Sequence, residues 1–452
     1  MSPWESAVHH VNYGERRVAI EFRPSFERFP PPPHTVVSMS HLPRTLPSLS
    51  RKAIRYNTRS FGSHVSLPIG NFSYKWLRDS CSSAESIHPS TRQKLHRTTD
   101  AVKDAKPKSV SADKDGLRIE WQSGHKSFYP TEYLAKYSSY GRLSAFHHDV
   151  RQQPWNLTKI STNERLFISY ESVQTDSGRL VTMTQLEQYG LVFIQGVPNT
   201  ETSNESCELR RVAEAFGEIR NTFYGPLWNV ENIENSPNIA YTNLDLGLHM
   251  DLLWVSSSRS FCVSYLFVNR YFEHPPRYQF LHCLRNRTQG GYSVFVDALN
   301  AANTLRTASP SDFDILTTTP VSFHYINDDH HLHYDHPTIQ LGVFPDEHGV
   351  LPIKYVNYSP PFQAPLHLST PPQFYDALEK FVDILESAEN RYEYLLKEGD
   401  VVVFDNRRVL HARTAFTGKN LNDDGGTDRL LKGCYIQADT VSDRARVLRS
   451  KA

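Results

Sequence analysis

Two histidines and one aspartate constrain this chain more than any other feature: His249-Met250-Asp251, and, far downstream, the histidine that closes Phe404-Asp405-Asn406-Arg407-Arg408-Val409-Leu410-His411. Two imidazoles and one carboxylate cap one face of an octahedral ferrous ion and leave three positions open for a chelating cosubstrate and dioxygen. A fold that uses them must bring together residues that lie far apart along the polymer.

The triplet alone proves little, because His-x-Asp occurs three times here, as His147-His148-Asp149, His249-Met250-Asp251 and His333-Tyr334-Asp335, among 21 histidines. Only the middle copy follows a short polar, glycine-containing run, Asn243-Leu244-Asp245-Leu246-Gly247, suited to deliver both ligands from the end of a strand. A jelly roll grips metal at such a place. Short apolar runs after turn residues, Val294-Phe295-Val296 after Gly290-Gly291 and Val401-Val402-Val403-Phe404 after Gly399-Asp400, predict a mainly β sandwich or barrel. Helical spacing adds flanking helices at residues 183–189, 207–218 and 372–387, with the buried strand Leu191-Val192-Phe193-Ile194 between the first two. The third carries Phe374, Leu378, Phe381 and Leu385 on one stripe, to pack beneath the sheet.

Upstream, Leu117-Arg118-Ile119-Glu120-Trp121 and Ser127-Phe128-Tyr129 read as strands, followed by a short helix at residues 132–137. The expected organisation is a targeting or extension segment at 1–63, a small β-rich domain at 64–150, a linker around Gln152-Gln153-Pro154-Trp155, and an oxygenase-type domain at 164–452. Residues 39–59 begin at a methionine, contain Arg44, Arg51, Lys52, Arg55 and Arg59, and have no acid, the composition of a mitochondrial transit peptide. A disordered polar tail, and so a cytoplasmic protein, is the alternative.

Forty-nine basic residues balance forty-nine acidic ones, so no net field draws the chain to nucleic acid or to a membrane surface. Small molecules are the expected partners, and a homodimer is compatible with the composition. Five scattered cysteines, at 81, 207, 262, 283 and 434, are not a secreted disulfide framework. No apolar run reaches the roughly eighteen residues of a membrane span.

Several blocks, in order along residues 70–450, resemble the gamma-butyrobetaine hydroxylase and trimethyllysine dioxygenase family of Fe(II)/2-oxoglutarate oxygenases. They are Trp76-Leu77-Arg78-Asp79-Ser80-Cys81, Thr222-Phe223-Tyr224-Gly225, Ala240-Tyr241-Thr242, Leu248-His249-Met250-Asp251, Val296-Asp297, the block ending at His411, and Gly433-Cys434-Tyr435. The resemblance implies a double-stranded β-helix (clavaminate synthase-like) catalytic domain. It implies iron on His249, Asp251 and His411, 2-oxoglutarate paired with Arg429 and touched by Ser293, and ascorbate as reductant. A guanidinium fork matches a carboxylate, in agreement with Arg429.

By the same resemblance, Tyr224, Trp228, Tyr241 and Tyr435 form a cage for a quaternary ammonium, which cannot donate a hydrogen bond and is best held by ring faces. Asn238, three residues before Tyr241, stands where butyrobetaine enzymes of the family carry Asn and trimethyllysine enzymes carry Asp. Asn357 is the expected second amide on a substrate carboxylate. These amides favour gamma-butyrobetaine, hydroxylated to carnitine, by charge complementarity. Trimethyllysine is the alternative, supported by Thr414-Ala415-Phe416-Thr417-Gly418.

The chain departs from the family twice. Of the four ligands of the family's N-terminal zinc site only Cys81 and His125 remain, with Ser83 and Ser86 at the other two positions and Glu85 or His88 as weak substitutes, so a tight structural zinc is not expected. Residues 254–270 interrupt a stretch that the family runs through directly, and their middle, Phe261-Cys262-Val263-Ser264-Tyr265-Leu266-Phe267-Val268, is apolar. This insertion is either a retained intron or a genuine loop. If it blocks the site, the chain is an inactive trimethylammonium-binding homologue, the third expectation.

Overall fold

The computed structural model describes residues 59–232, 239–252, 275–327, 329–346, 348–418 and 427–452. Two sheets face one another. The larger runs in the order Trp228–Glu231, Arg429–Ile436, Tyr278–Asn286, Val401–Asp405, Leu191–Gln195 and Phe167–Ser169, and Ile219–Arg220 joins it alongside Arg429–Ile436. The smaller has the order Leu246–His249, Val409–Arg413, Ser293–Asp297 and Tyr392–Tyr394. Pairing is antiparallel except between Phe167–Ser169 and Leu191–Gln195, and the two sheets form the expected double-stranded β-helix.

Side-chain alternation explains why the sheets close on each other. Phe295, from the smaller sheet, packs against Phe193 and Phe404 of the larger one, with ring centroids 5.8 and 5.6 Å apart. All three rings are buried. Burying a large aromatic ring in this way stabilises by about 1.5–3 kcal/mol.

One turn ties the layers together, because each of its four side chains has a separate task. Asp405 accepts from Arg277 Nε at 3.0 Å. Asn406 reaches the loop that carries Asp251. The Arg407 guanidinium lies 3.7 Å over the Tyr355 ring. Arg408 holds Asp297 with two bonds of 2.9 and 2.8 Å and also donates to the carbonyls of Gln188 and Gln153. The block Asp405-Asn406-Arg407-Arg408 is thus a bolt between sheets, helix and upstream chain.

Helices cover the sandwich, and here the sequence reading needs correction. Residues 298–318 hold two helices, Ala298–Ala308 and Pro310–Thr318, that apolar periodicity did not reveal. Asp297 caps the first by accepting from Leu299 N at 3.1 Å. The helix Gln373–Glu386 buries Phe374, Phe381 and Leu385 as its stripe predicts, but chiefly against these two helices rather than beneath a sheet. A C-terminal helix, Ala438–Lys451, also went unread.

The stretch around Trp155 is not a free linker either. It includes a short helix, Leu157–Ser161, and the Trp155 indole is buried, donating to Tyr189 O at 2.6 Å. The Trp155 backbone N–H donates to Asp297 at 2.9 Å. Unpaired backbone groups beside a core must find partners, and these do.

Two three-stranded sheets, Arg59–Phe61 with His64–Leu67 and Gly70–Ser73, and Pro107–Ala112 with Gly116–Trp121 and Lys126–Pro130, share a separate core around Leu77, Trp121 and Tyr129. The helix Tyr74–Asp79 begins where Ser73 Oγ accepts from Trp76 N at 3.1 Å, which turns Leu77 into that core. Residues 39–58 of the segment expected to be an address, the insertion at 254–270 and Asn238 lie outside the described residues, while Arg59 begins the first strand. Among the described residues, no helix is long and apolar enough to cross a membrane.

Candidate active site

Strand register makes the metal-type cluster. Leu246–His249 pairs antiparallel with Val409–Arg413 so that His249 and His411 are directly opposed, and their ring centroids lie 4.2 Å apart. The chain then turns at Leu252, which has φ +60, and the Asp251 carboxylate comes close to both rings. Its Oδ1 is 3.4 Å from His249 Nε2 and 3.8 Å from His411 Nε2. Among the described residues these three form the one group of ligand-type side chains close enough to share an ion, with all ligand atoms within 4.8 Å.

The neighbours prepare each group for that task. His249 Nδ1 lies 2.9 Å from Gly247 O, so the proton sits there and Nε2 is left as the lone-pair donor. Asp251 is clamped at its backbone: its N–H donates to Asn406 Oδ1 at 2.9 Å and its carbonyl accepts from Asn406 Nδ2 at 3.1 Å. Burial works to raise the Asp251 carboxyl, but the imidazoles and the Tyr435 hydroxyl hold it well below the usual carboxylate range. Burial, aided by His249, pushes His411 down to about 3. An anionic carboxylate and a neutral imidazole are the states that bind a divalent cation.

A cavity opens on the cluster between the two sheets. Arg429 and Arg413 both line it, and both are buried. Arg413 donates to the carbonyls of Ala240, Thr242 and Leu244 at 3.0, 2.7 and 2.7 Å. Arg429 has no carboxylate partner among the described residues, and its Nε has no hydrogen-bond partner. Burial pushes each guanidinium down to about 10, which leaves both charged at neutral pH. A buried cation without a counter-ion is costly, and a dicarboxylate that chelates the metal at one end supplies that counter-ion at the other. The residues therefore fit iron and 2-oxoglutarate. Ser293, opposite Arg413 in register, also faces this cavity.

Much of the remaining lining is aromatic. Tyr224, Trp228, Tyr241 and Tyr435 all line the cavity, joined by Phe362. Trp228 stands 5.9 Å from Tyr224 and 4.5 Å from Tyr435 between ring centroids. It can lie there because its strand partner is Gly433: a Cβ at that position would meet the indole at 2.7 Å. The block Gly433-Cys434-Tyr435 is thereby explained by close approach rather than by backbone strain.

Two assignments change. Asn357 does not line the cavity; its amide is used within the fold, donating to Pro337 O at 2.8 Å and accepting from Arg407 at 3.0 Å. Tyr435 contributes its ring to the wall, but its hydroxyl donates to Asp251 Oδ2 at 2.7 Å. The sequence reading missed Gln279, a buried cavity residue whose Oε1 has no partner, and Arg413. Alternation along Val409–Arg413 could have found Arg413, since it lies two residues from His411 and so on the same face. The other triplets go elsewhere: His333 and Asp335 meet at 3.2 Å on an exposed hairpin, and Asp149 pairs with Arg446.

At the N-terminal core, Cys81 Sγ lies 3.3 Å from His125 Nε2 and accepts from Ser127 Oγ at 3.1 Å. Glu85 holds the far nitrogen of His125 at 2.9 Å, and His88 bonds to Ser90, so neither turns to the thiol. One thiol, one imidazole and hydroxyls do not fit a structural zinc site. Burial opposes ionisation of Cys81, but hydrogen bonds from Ser127, Ser83 and His125 bring it down to about 6.

Fold and site together define a dioxygenase of the iron and 2-oxoglutarate class. Comparison with known proteins agrees: residues 68–135 match the gamma-butyrobetaine hydroxylase-like N-terminal family and residues 268–435 match the taurine catabolism dioxygenase TauD, TfdA family. Dioxygenase str8 of Strobilurus tenacellus is 45% identical, covering 88% of this chain and 90% of that protein. Gamma-butyrobetaine dioxygenase of Pseudomonas sp. (strain AK-1) is 30% identical, covering 90% and 98%. Mitochondrial trimethyllysine dioxygenase of Gallus gallus is 29% identical, covering 86% of each. The chain belongs to the gamma-butyrobetaine hydroxylase-like family of Fe(II)/2-oxoglutarate-dependent dioxygenases, enzymes that act on small molecules.

Proposed function

We propose that this dioxygenase hydroxylates gamma-butyrobetaine to carnitine, with His249, Asp251 and His411 as iron ligands and Arg429 and Ser293 on 2-oxoglutarate. Iron and 2-oxoglutarate, when bound, supply the oxidative decarboxylation and the oxidant for the C–H bond. The residues contribute placement. The observation that carries the reading is the aromatic wall of Tyr224, Trp228, Tyr241 and Tyr435 in the same cavity as the ligand cluster. Ring faces attract a trimethylammonium group by about 0.5–2 kcal/mol.

Charge separates the two family substrates. Apart from Asp251, no acidic side chain lines the described cavity, so the α-ammonium of trimethyllysine lacks a partner there. Gln279 is the amide that the described wall offers to a carboxylate. The composition of residues 39–59 supports a mitochondrial address. A second reading, an uncharged apolar substrate, is favoured by one observation: apart from Arg429, the cavity's described cation is Arg413, already engaged by three carbonyls.

The test is succinate formation with iron and ascorbate in the presence of gamma-butyrobetaine, trimethyllysine, 5,5-dimethylhexanoate, the carbon isostere that keeps the carboxylate of the first and loses its cation, or 5,5-dimethylhexan-1-ol, which carries no charge. Gamma-butyrobetaine should be turned over fastest, about tenfold ahead of the isostere in kcat/KM. Faster use of trimethyllysine sinks the assignment, and equal use of the uncharged alcohol favours the uncharged reading.

A further inference from the structure

The two oxygens of Asp251 have different neighbours. Oδ1 faces both imidazoles, whereas Oδ2 accepts the Tyr435 hydroxyl at 2.7 Å. Asn406 fixes the Asp251 backbone on both sides of the residue but touches neither carboxylate oxygen. Rotation of the carboxylate about its own axis is therefore restrained by Tyr435. The tyrosine is itself immobile: it is buried on the strand Arg429–Ile436 with its ring against Trp228.

We propose that Tyr435 is a positioning residue for the candidate metal carboxylate: its hydroxyl retains Oδ2 so that Asp251 offers one oxygen, Oδ1, to the ion. A carboxylate free to rotate turns both oxygens to a divalent cation and takes one more coordination position. The chemistry needs three open positions, two for the cosubstrate and one for dioxygen. The hydrogen bond at Oδ2 keeps that position free, and the ring places the same restraint against the substrate wall. The inference rests on the metal cluster and is independent of which substrate the enzyme uses.

The experiment uses the full chain and Co(II) alone, followed by 2-oxoglutarate, without substrate. Tyr435→Phe keeps the ring and removes the hydroxyl. Co(II) affinity should change by about 10–100-fold, the usual effect of losing a partner of a metal ligand, and the ligand-field absorption of bound Co(II) should shift as the second carboxylate oxygen takes a position that water holds in the parent. Addition of 2-oxoglutarate should then bring a smaller spectral change than in the parent. An unchanged Co(II) spectrum with affinity within about twofold of the parent, in a variant with the parent's melting temperature, overturns the proposal. If Tyr435→Phe does not fold, Tyr435→Gln and Tyr435→Leu decide, since they differ in a hydrogen-bond donor at similar size. The Gln variant should keep the parent Co(II) spectrum and the Leu variant lose it; identical spectra in the pair overturn the proposal.

Discussion

Arg413 and Arg429 lie 5.0 and 5.3 Å from the centre of the Phe416 ring, two buried cations beside one aromatic side chain. Arg413 is spent on three carbonyls, so Arg429 is the group left for an anion. Arg429→Lys should weaken 2-oxoglutarate binding to Co(II)-loaded protein by about tenfold or more, because a point charge replaces a fork and a charged hydrogen bond contributes about 1.5–3 kcal/mol. Calorimetric titration measures it, and equal affinity would remove Arg429 from the role. At Cys81, one thiol and one imidazole predict purified protein with far less than one zinc per chain; about one zinc per chain in elemental analysis contradicts this. Residue types offered three His-x-Asp triplets among 21 histidines, and it was the family resemblance that singled out His249, Asp251, His411 and Arg429. Residue type made Asn357 misleading, because an amide looks the same whether it faces a ligand or, as here, Arg407 and a backbone carbonyl.

Among elements, the turn between Val401–Asp405 and Val409–Arg413 sets the site's shape. Arg408→Leu leaves Asp297 buried and uncompensated, and breaking such a pair costs about 3–5 kcal/mol. Chemical denaturation should show that loss, and a loss under about 1 kcal/mol would mean that the pair is dispensable. Further across the larger sheet, on Arg429–Ile436, Gly433→Ala should push the Trp228 indole off its seat, since the new methyl would meet it at 2.7 Å. KM for gamma-butyrobetaine, the proposed substrate, should rise while Co(II) binding stays near the parent; the reverse pattern would detach Trp228 from the substrate wall. Strands were readable from β-branched runs between glycines, and the stripe on Gln373–Glu386 from its period. The helices Ala298–Ala308 and Pro310–Thr318 were not. Their small and polar residues leave little apolar signal, and what marks the first is its cap at Asp297, whose side chain also serves Arg408 and Trp155.

For the molecule as a whole, a buried imidazole gives an acid-sensitive fold. Burial, helped by the charge of Lys432, pushes His282 down from 6.5 to about 4. Between those values the unfolded chain takes up a proton that the folded one refuses, so stability present above about 6.5 is lost as pH falls towards about 4. The melting temperature of His282→Leu should drop less than the parent's across that window. Equal drops would assign the acid sensitivity to other groups. The sequence by itself determined the chemistry on offer: which side chains can ligate, which can cradle an anion, and that short strands between turns would form a β sandwich around them. It also carried the family, because motif order survives along the polymer. Context and resemblance already favoured the middle copy of His-x-Asp, but only the tertiary structure decided how its side chains meet His411. That meeting depends on strand register, which sets His249 opposite His411, and on a hydroxyl and an amide from distant segments that hold Asp251 between them. Pairings across such separations are fixed by the closing of two sheets over a common core, a property of the packed whole that no local stretch of residues contains.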